Sequence, residues 1–347
     1  NTFTVNGDAS ATNVTLKSTE DGAAWYLKAN AAEVTGAAVK DSDATHGVLI
    51  VTAASTDNGG NAGWLFVDNR TYWTGAKNTD FADAENWSDG APTAAKGAVI
   101  AGAATVNVSS AAEVGELTLS DGAKLTIRAA FAVHGSLTIG NGGEVAWDVP
   151  GTVHGNLTIL DGGMLAHTIQ GSTASTEQYW LDLAVGGDGY IAEGGAVNVM
   201  GKGYAKNKGP GAPNVTDGAA YGGRATNKGT IAAYGSYLCP TNCGSGGYYS
   251  FGTFAGGGIA KLLFGGTLTL DGEIDADGLQ NNGATYYTSA GGSIWIEAKA
   301  LFGKGDIHAN GSDGVGSGHR YGSGGRIAVK LSETASFDGY TGAITAY

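Results

Sequence analysis

Residues 291–311 read GGSIWIEAKALFGKGDIHANG, and this pattern decides the fold. A GG-x-I-x-I segment opens the stretch and recurs at 324–329, more loosely at 257–262 and 265–270. A partner segment, G-x-I-x-A, occurs at 229–233, 272–276, 305–309 and 342–346. The partner segments start 43, 33 and 37 residues apart, and repetition at 20–50 residues marks a solenoid, propeller or array. Successive side chains in I-W-I or L-T-L point to opposite faces. Ile294 and Ile296 therefore turn inward around Trp295, as do Leu268 and Leu270 around Thr269. Glycine at the corners permits backbone angles that a side chain forbids. One such unit cannot bury its own apolar face, but stacked units bury a continuous one. The expected fold is all-β: a parallel β-helix (β-solenoid), right-handed, with Gly-rich lateral loops.

The clearest period lies just before the middle of the chain. GELTLSDG at 115–122, GSLTIGNG at 135–142 and GNLTILDG at 155–162 start twenty residues apart. Leu117, Leu137 and Leu157 share one position; Leu119, Ile139 and Ile159 share another. Thr118, Thr138 and Thr158 form an outward stack between them. Asp-Gly or Asn-Gly closes each segment as a turn. The regular coils cover about 113–167. A long Gly- and Tyr-rich loop covers 201–256, and larger repeats fill 257–347. That loop is either an ordered flap against the solenoid or a functional excursion. Residues 229–235 within it read as a strand. Residues 1–70 carry alternating patches without a fixed period, an N-terminal β segment or cap ahead of a solenoid at 71–347.

Composition narrows the function classes. Gly supplies 61 of 347 residues and Pro only 5, against a usual Gly content of ~7%. With no G-x-y period, collagen is excluded. Apolar residues at 42% argue against disorder. A formal net charge of −13 disfavours nucleic acid, whose phosphates demand clustered Lys and Arg. No apolar run reaches the ~18 residues of a membrane span. No export signal is visible at Asn1, which fits a mature or trimmed chain.

A second motif stands at 72–100: Y-W-T-G, then E-N-W-S-D-G, Pro92 and A-V-I. It resembles a module at the start of β-helical stretches in bacterial surface and autotransporter-like proteins. The GG-S-I-W-I and G-D-I-H-A series over about 195–347 is similar to repeats of large secreted proteins of environmental bacteria. Together these imply an adhesin- or passenger-type parallel β-helix. Trp73 and Trp87 are then either a lid over the first coil or an aromatic platform for sugar. With Tyr248 and Tyr249 they are the candidate glycan contacts.

Chemistry-bearing clusters are few. DGEIDADG at 271–278 and the Asp306–His308 pair supply carboxylates. Glu273 and Asp275 flank Ile274, so both are expected to face solvent. A catalytic pair is not indicated. The run resembles a calcium loop without its distal Glu, leaving Ca2+ as the weak cofactor candidate and no assigned metal ligand. His134 and His154, one coil apart, are expected to stack as a surface ladder. Lys202, Lys206, Lys208, Arg224 and Lys228 make a basic loop, read as solvated. Six N-x-S/T sequons occur at Asn13, Asn69, Asn86, Asn107, Asn156 and Asn214, as chance allows in this composition. Cys239 and Cys243 (CPTNC) are expected to form a small-loop disulfide in an oxidising setting.

The functional expectation is an extracellular structural protein, a subunit of a cell-surface fibre or layer. It would assemble head-to-tail through terminal strands, with Phe3 and Val5 at one end and Ile344 and Tyr347 at the other. Its partners would be copies of itself, and glycans or cell-surface components. The alternatives are a polysaccharide-binding or polysaccharide-degrading β-helix and a fragment of an adhesin.

Overall fold

A computed structural model describes residues 1–7, 14–53, 55–67, 69–213, 218–225, 231–248, 254–279, 288–313, 321–333 and 337–347. Among these residues there is no α-helix; one 3-10 turn spans Ala84–Asn86, and all other named elements are strands. No helix is long and apolar enough to cross a membrane.

From Arg70 onward the strands form three parallel sheets of eight, eight and seven strands. The chain visits them in rotation: Leu117–Leu119 in the first, Lys124–Ile127 in the second, Phe131–Val133 in the third, then Leu137–Ile139 in the first again. The Leu/Ile pattern fixes the register. Leu117 pairs with Leu137 and Leu137 with Leu157, and all these leucines are buried. Each fully buried Leu or Ile contributes about 1.5–3 kcal/mol. Between them Thr118, Thr138 and Thr158 stand half-exposed in a column. Asp121 (φ 56°) and Gly122 (φ 84°), like Asn141 (φ 44°) and Gly142 (φ 77°), adopt the two left-handed positions of a type I′ turn.

The unit then lengthens without leaving register. Leu157 pairs with Gly189 and Gly189 with Leu268, so insertions sit between rungs. The described residues of the main one, 201–256, pack as an ordered flap. Tyr221 is fully buried, and its hydroxyl lies 2.6 Å from Ser293 Oγ. Arg326 donates to Tyr234 O from Nε (3.2 Å) and Nη2 (3.0 Å). Extended glycine segments lie side by side here, with Gly257 N donating to Ala290 O (2.9 Å) and Gly291 N to Ser323 O (3.0 Å). A Cβ on Gly257 would overlap Ala276 O; close backbone approach is why glycine fills these rows. Residues 231–235 form no strand, contrary to expectation; residues 229 and 230 lie outside those described.

The N-terminal segment is itself layered. Thr2–Asn6, Ala31–Thr35, Ile50–Ala53 and Trp64–Val67 make one parallel sheet, beside sheets of three and two strands. Its core centres on Val34, Ala37, Val39, Ala44 and Ile50. Pairings such as Thr2 with Ala31, Val34 with Thr52 and Ile50 with Trp64 advance by unequal steps, which is why no period is visible there.

The tryptophan motif fills the core. Trp87 is only 5% exposed. Its ring meets Trp73 and Phe81 edge-on at centroid distances of 5.1 Å, and the chain of rings continues through Phe131 to Trp147. Asn86 is buried with its amide saturated. Oδ1 accepts from Lys77 N (3.0 Å) and Asn78 N (2.9 Å), and Nδ2 donates to Asn78 Oδ1 (2.8 Å) and Asp80 O (2.9 Å).

Candidate metal centre

The second sheet runs Ala196–Asn198, Glu273–Asp275, Asp306–His308 and Ile344–Thr345 in order. Parallel pairing sets Glu273 beside Asp306 and Asp275 beside His308. Ile274 and Ile307 turn into the core, so the flanking side chains share the opposite face. The ladder continues past the strand ends, with Ala276 N donating to His308 O and Gly278 N to Asn310 O, both 2.8 Å. Asp277 therefore lies on the same face as Asp275. The result is E-x-D-x-D on one strand against D-x-H-x-N on the next.

Asp275 corrects the expectation that both acids face solvent. Glu273 is half out, but the Asp275 side chain is only 6% exposed. The backbone carbonyls here are engaged as well: Val199 N donates to Asp275 O (2.7 Å) and Gly201 N to Asp277 O (3.0 Å) from the continuation of the neighbouring strand, and Gly292 N to Ala276 O (2.7 Å). Burial pushes the Asp275 carboxyl up to about 6. His308 is also raised, to about 10, because Asp277 and Glu273 stabilise its charged form against a smaller desolvation penalty.

His308 Nδ1 stands 3.0 Å from Asp277 Oδ2 and 3.4 Å from Asp275 Oδ1. It is shielded from solvent and aligned for a hydrogen bond with neither. One atom from each of the three side chains lies within 4.8 Å of the others. Asp277 is held by Asn310, whose backbone N and Nδ2 donate to its two oxygens. Asp277 N donates to Asp275 Oδ1 (2.7 Å). Glu273 Oε2 faces the far ring nitrogen, Nε2, at 3.9 Å. These residues form a preorganised cup of one imidazole and two carboxylates. The aligned G-x-I-x-A frames place Asp275 opposite His308 from sequence alone. The burial of the Asp275 side chain is not visible in those frames.

Beside the cup, Glu193, Asp271, Glu273, Lys304 and Asp306 line an open groove of about 450 Å³. Lys304 Nζ bridges to Glu193 Oε2 at 2.8 Å.

The other candidate residues are dispersed. Trp87 belongs to the aromatic core and Trp73 packs on it, so Trp87 has no open ring face. Tyr248 is half-buried; Tyr249 lies outside the described residues. His134 and His154 stack at 5.2 Å, with His134 Nε2 3.1 Å from Glu113 Oε2. Phe3 and Val5 pack on the N-terminal core. Ile344 is 41% and Tyr347 71% exposed. Cys239 and Cys243 are free thiols, not the expected disulfide. Their surroundings differ: Cys243 is buried beside Gln170 Nε2 (3.6 Å), whereas Cys239 lies toward Lys330 Nζ (3.9 Å).

No protein-family model matches the chain, and no curated protein or solved structure is significantly similar to it.

Proposed function

We propose that the chain is a β-solenoid serving as an elongated structural subunit of a cell-surface or extracellular fibre. The observation that carries this is the rotation of one chain through three parallel sheets with matched Leu/Ile columns. Such a body is quasi-one-dimensional: each layer contacts its neighbours, and length is added by adding layers. The Gly-, Thr-, Ser- and Asn-rich composition suits an exported β protein. Thr2–Asn6 is an edge strand of the N-terminal sheet, and Leu301–Phe302, Ile344–Thr345 and Arg326–Leu331 are edge strands of the three long sheets. Parallel edges accept a strand from another copy, and head-to-tail contacts of this kind propagate into filaments. Phe3, Val5, Ile344 and Tyr347 are the residues such a contact would engage. Electron microscopy of the purified chain tests the reading. Fibres with a regular axial repeat are expected. Isolated particles, with a monomeric mass by light scattering at high concentration, sink it.

The acid-lined groove favours a second reading, polysaccharide binding along the side of the solenoid, with carboxylates accepting sugar hydroxyls. A glycan screen on wild type and Glu273→Gln separates the two.

A further inference from the structure

We propose that Asp275, Asp277 and His308 bind one divalent transition-metal ion of the zinc or manganese class, which ties two adjacent strands of the second sheet together. The proposal is independent of fibre assembly.

Geometry comes first. Ligands bound at about 2.0–2.2 Å around one ion sit roughly 2.9–3.5 Å apart at square or tetrahedral angles. The Nδ1–Oδ separations, 3.0 and 3.4 Å, fall in that range. The second observation is His308 Nδ1 itself. Were the cluster only an ion pair, its N–H should lie in line with one carboxylate. The atom is instead buried and aligned with neither. Two further contacts support this. Asn310 holds Asp277 in place. Glu273 faces the opposite ring nitrogen, the position from which a carboxylate orients a ligating histidine. Glu273 is thus a positioning residue, not a ligand.

The donor set selects the ion. Calcium takes six to eight oxygens, and an imidazole displaces one of them. One nitrogen with two carboxylate oxygens suits zinc or manganese, with water completing the shell from the half-exposed side. Asp275 and Asp277 lie on one strand and its extension, His308 on the next, so the ion cross-links successive layers.

The test is equilibrium dialysis of the intact chain, stripped with chelator, against ZnCl2, MnCl2 or CaCl2 alone, with elemental analysis and a thermal melt. One Zn2+ per chain and a midpoint raised by several degrees are expected, with Mn2+ weaker and Ca2+ without effect. His308→Ala and Asp277→Asn should each abolish the stoichiometric ion. His134→Ala, at the stacked surface histidines, should retain it. Glu273→Gln should keep one ion per chain but weaken it about 10–100-fold. Should the cup variants fail to fold, Co2+ added to the wild-type chain still decides: visible d–d bands of nitrogen–oxygen coordination support the site. A flat Co2+ spectrum, no Zn2+ uptake, uptake that survives both ligand substitutions, or a Ca2+ response in place of Zn2+ overturns it.

Discussion

His167 is fully buried, and both ring nitrogens are committed to the neutral form. Nδ1 donates to Thr168 O (2.7 Å), while Nε2 accepts from Ile259 N (3.1 Å). A second proton would set an N–H against an N–H. Burial depresses the imidazole to about 4, and the charged groups around it, Lys202 and Asp148, oppose one another. An unfolded histidine titrates near ~6.5. Between those values the unfolded chain holds a proton that the folded chain refuses, so stability falls as pH falls from about 6.5 to about 4. The loss approaches ~1.4 kcal/mol per pH unit, about 3 kcal/mol in all. Urea titrations of wild type and His167→Gln, which keeps an acceptor for Ile259 N, isolate this contribution from other acids. The difference between the two should widen with pH across that window; parallel profiles would refute it. Nothing in the sequence distinguishes His167 from the other histidines. Its donor, Ile259, lies 92 residues away, and the space beside its ring exists because Gly258 lacks a Cβ.

At the scale of elements, adjacent layers exchange volume across a corner. Ile127 pairs with Trp147 in the second sheet. In the third, the pairings of Ala132 with Thr152 and Val133 with Val153 set Gly151 opposite Phe131. One layer therefore carries Ile127 and Phe131, and the next Trp147 and Gly151: a large ring has moved from one strand to its neighbour. A Cβ on Gly151 would overlap the buried Trp147 indole. Gly151→Phe alone should cost at least about 1–3 kcal/mol by overpacking. Trp147→Ile alone should cost about 3–5 kcal/mol by leaving a cavity. Trp147→Ile with Gly151→Phe rebuilds the preceding layer and should return to within about 1.5 kcal/mol of wild type. Denaturation of the four proteins closes a double-mutant cycle, and simple additivity of the single changes would refute the exchange. The Leu117–Leu137–Leu157 column was legible in the sequence because identical residues recur at a constant interval. The Trp147–Gly151 exchange was not, because it appears only once two strands are placed side by side. The same holds for Asp275: alternation put it on the outer face correctly, but its burial there appears only in the folded chain.

At the scale of the molecule, the rotation through three sheets makes a twenty-residue unit the smallest piece that can be removed. Excising residues 137–156 joins Ser136 to Leu157. Leu157 then lies where Leu137 pairs with Leu117, and the next strands of the second and third sheets follow in turn. The excision removes the Asp148 contacts to Arg128 and Thr168 but orphans no strand. Excising only residues 137–146 joins Ser136 to Trp147. The third-sheet strand Phe131–Val133 is then followed directly by Gly151–Val153 of the same sheet, and the rotation fails. The twenty-residue deletion should keep the β circular dichroism per residue and a cooperative melt, with a long dimension shorter by about 4.8 Å, one strand spacing. The ten-residue deletion, although smaller, should lose the cooperative melt and aggregate through exposed strand edges. Small-angle scattering and thermal denaturation read both outcomes. Equal damage from the two deletions would mean that layers are not the unit of this molecule, and the proposed solenoid would fall with them.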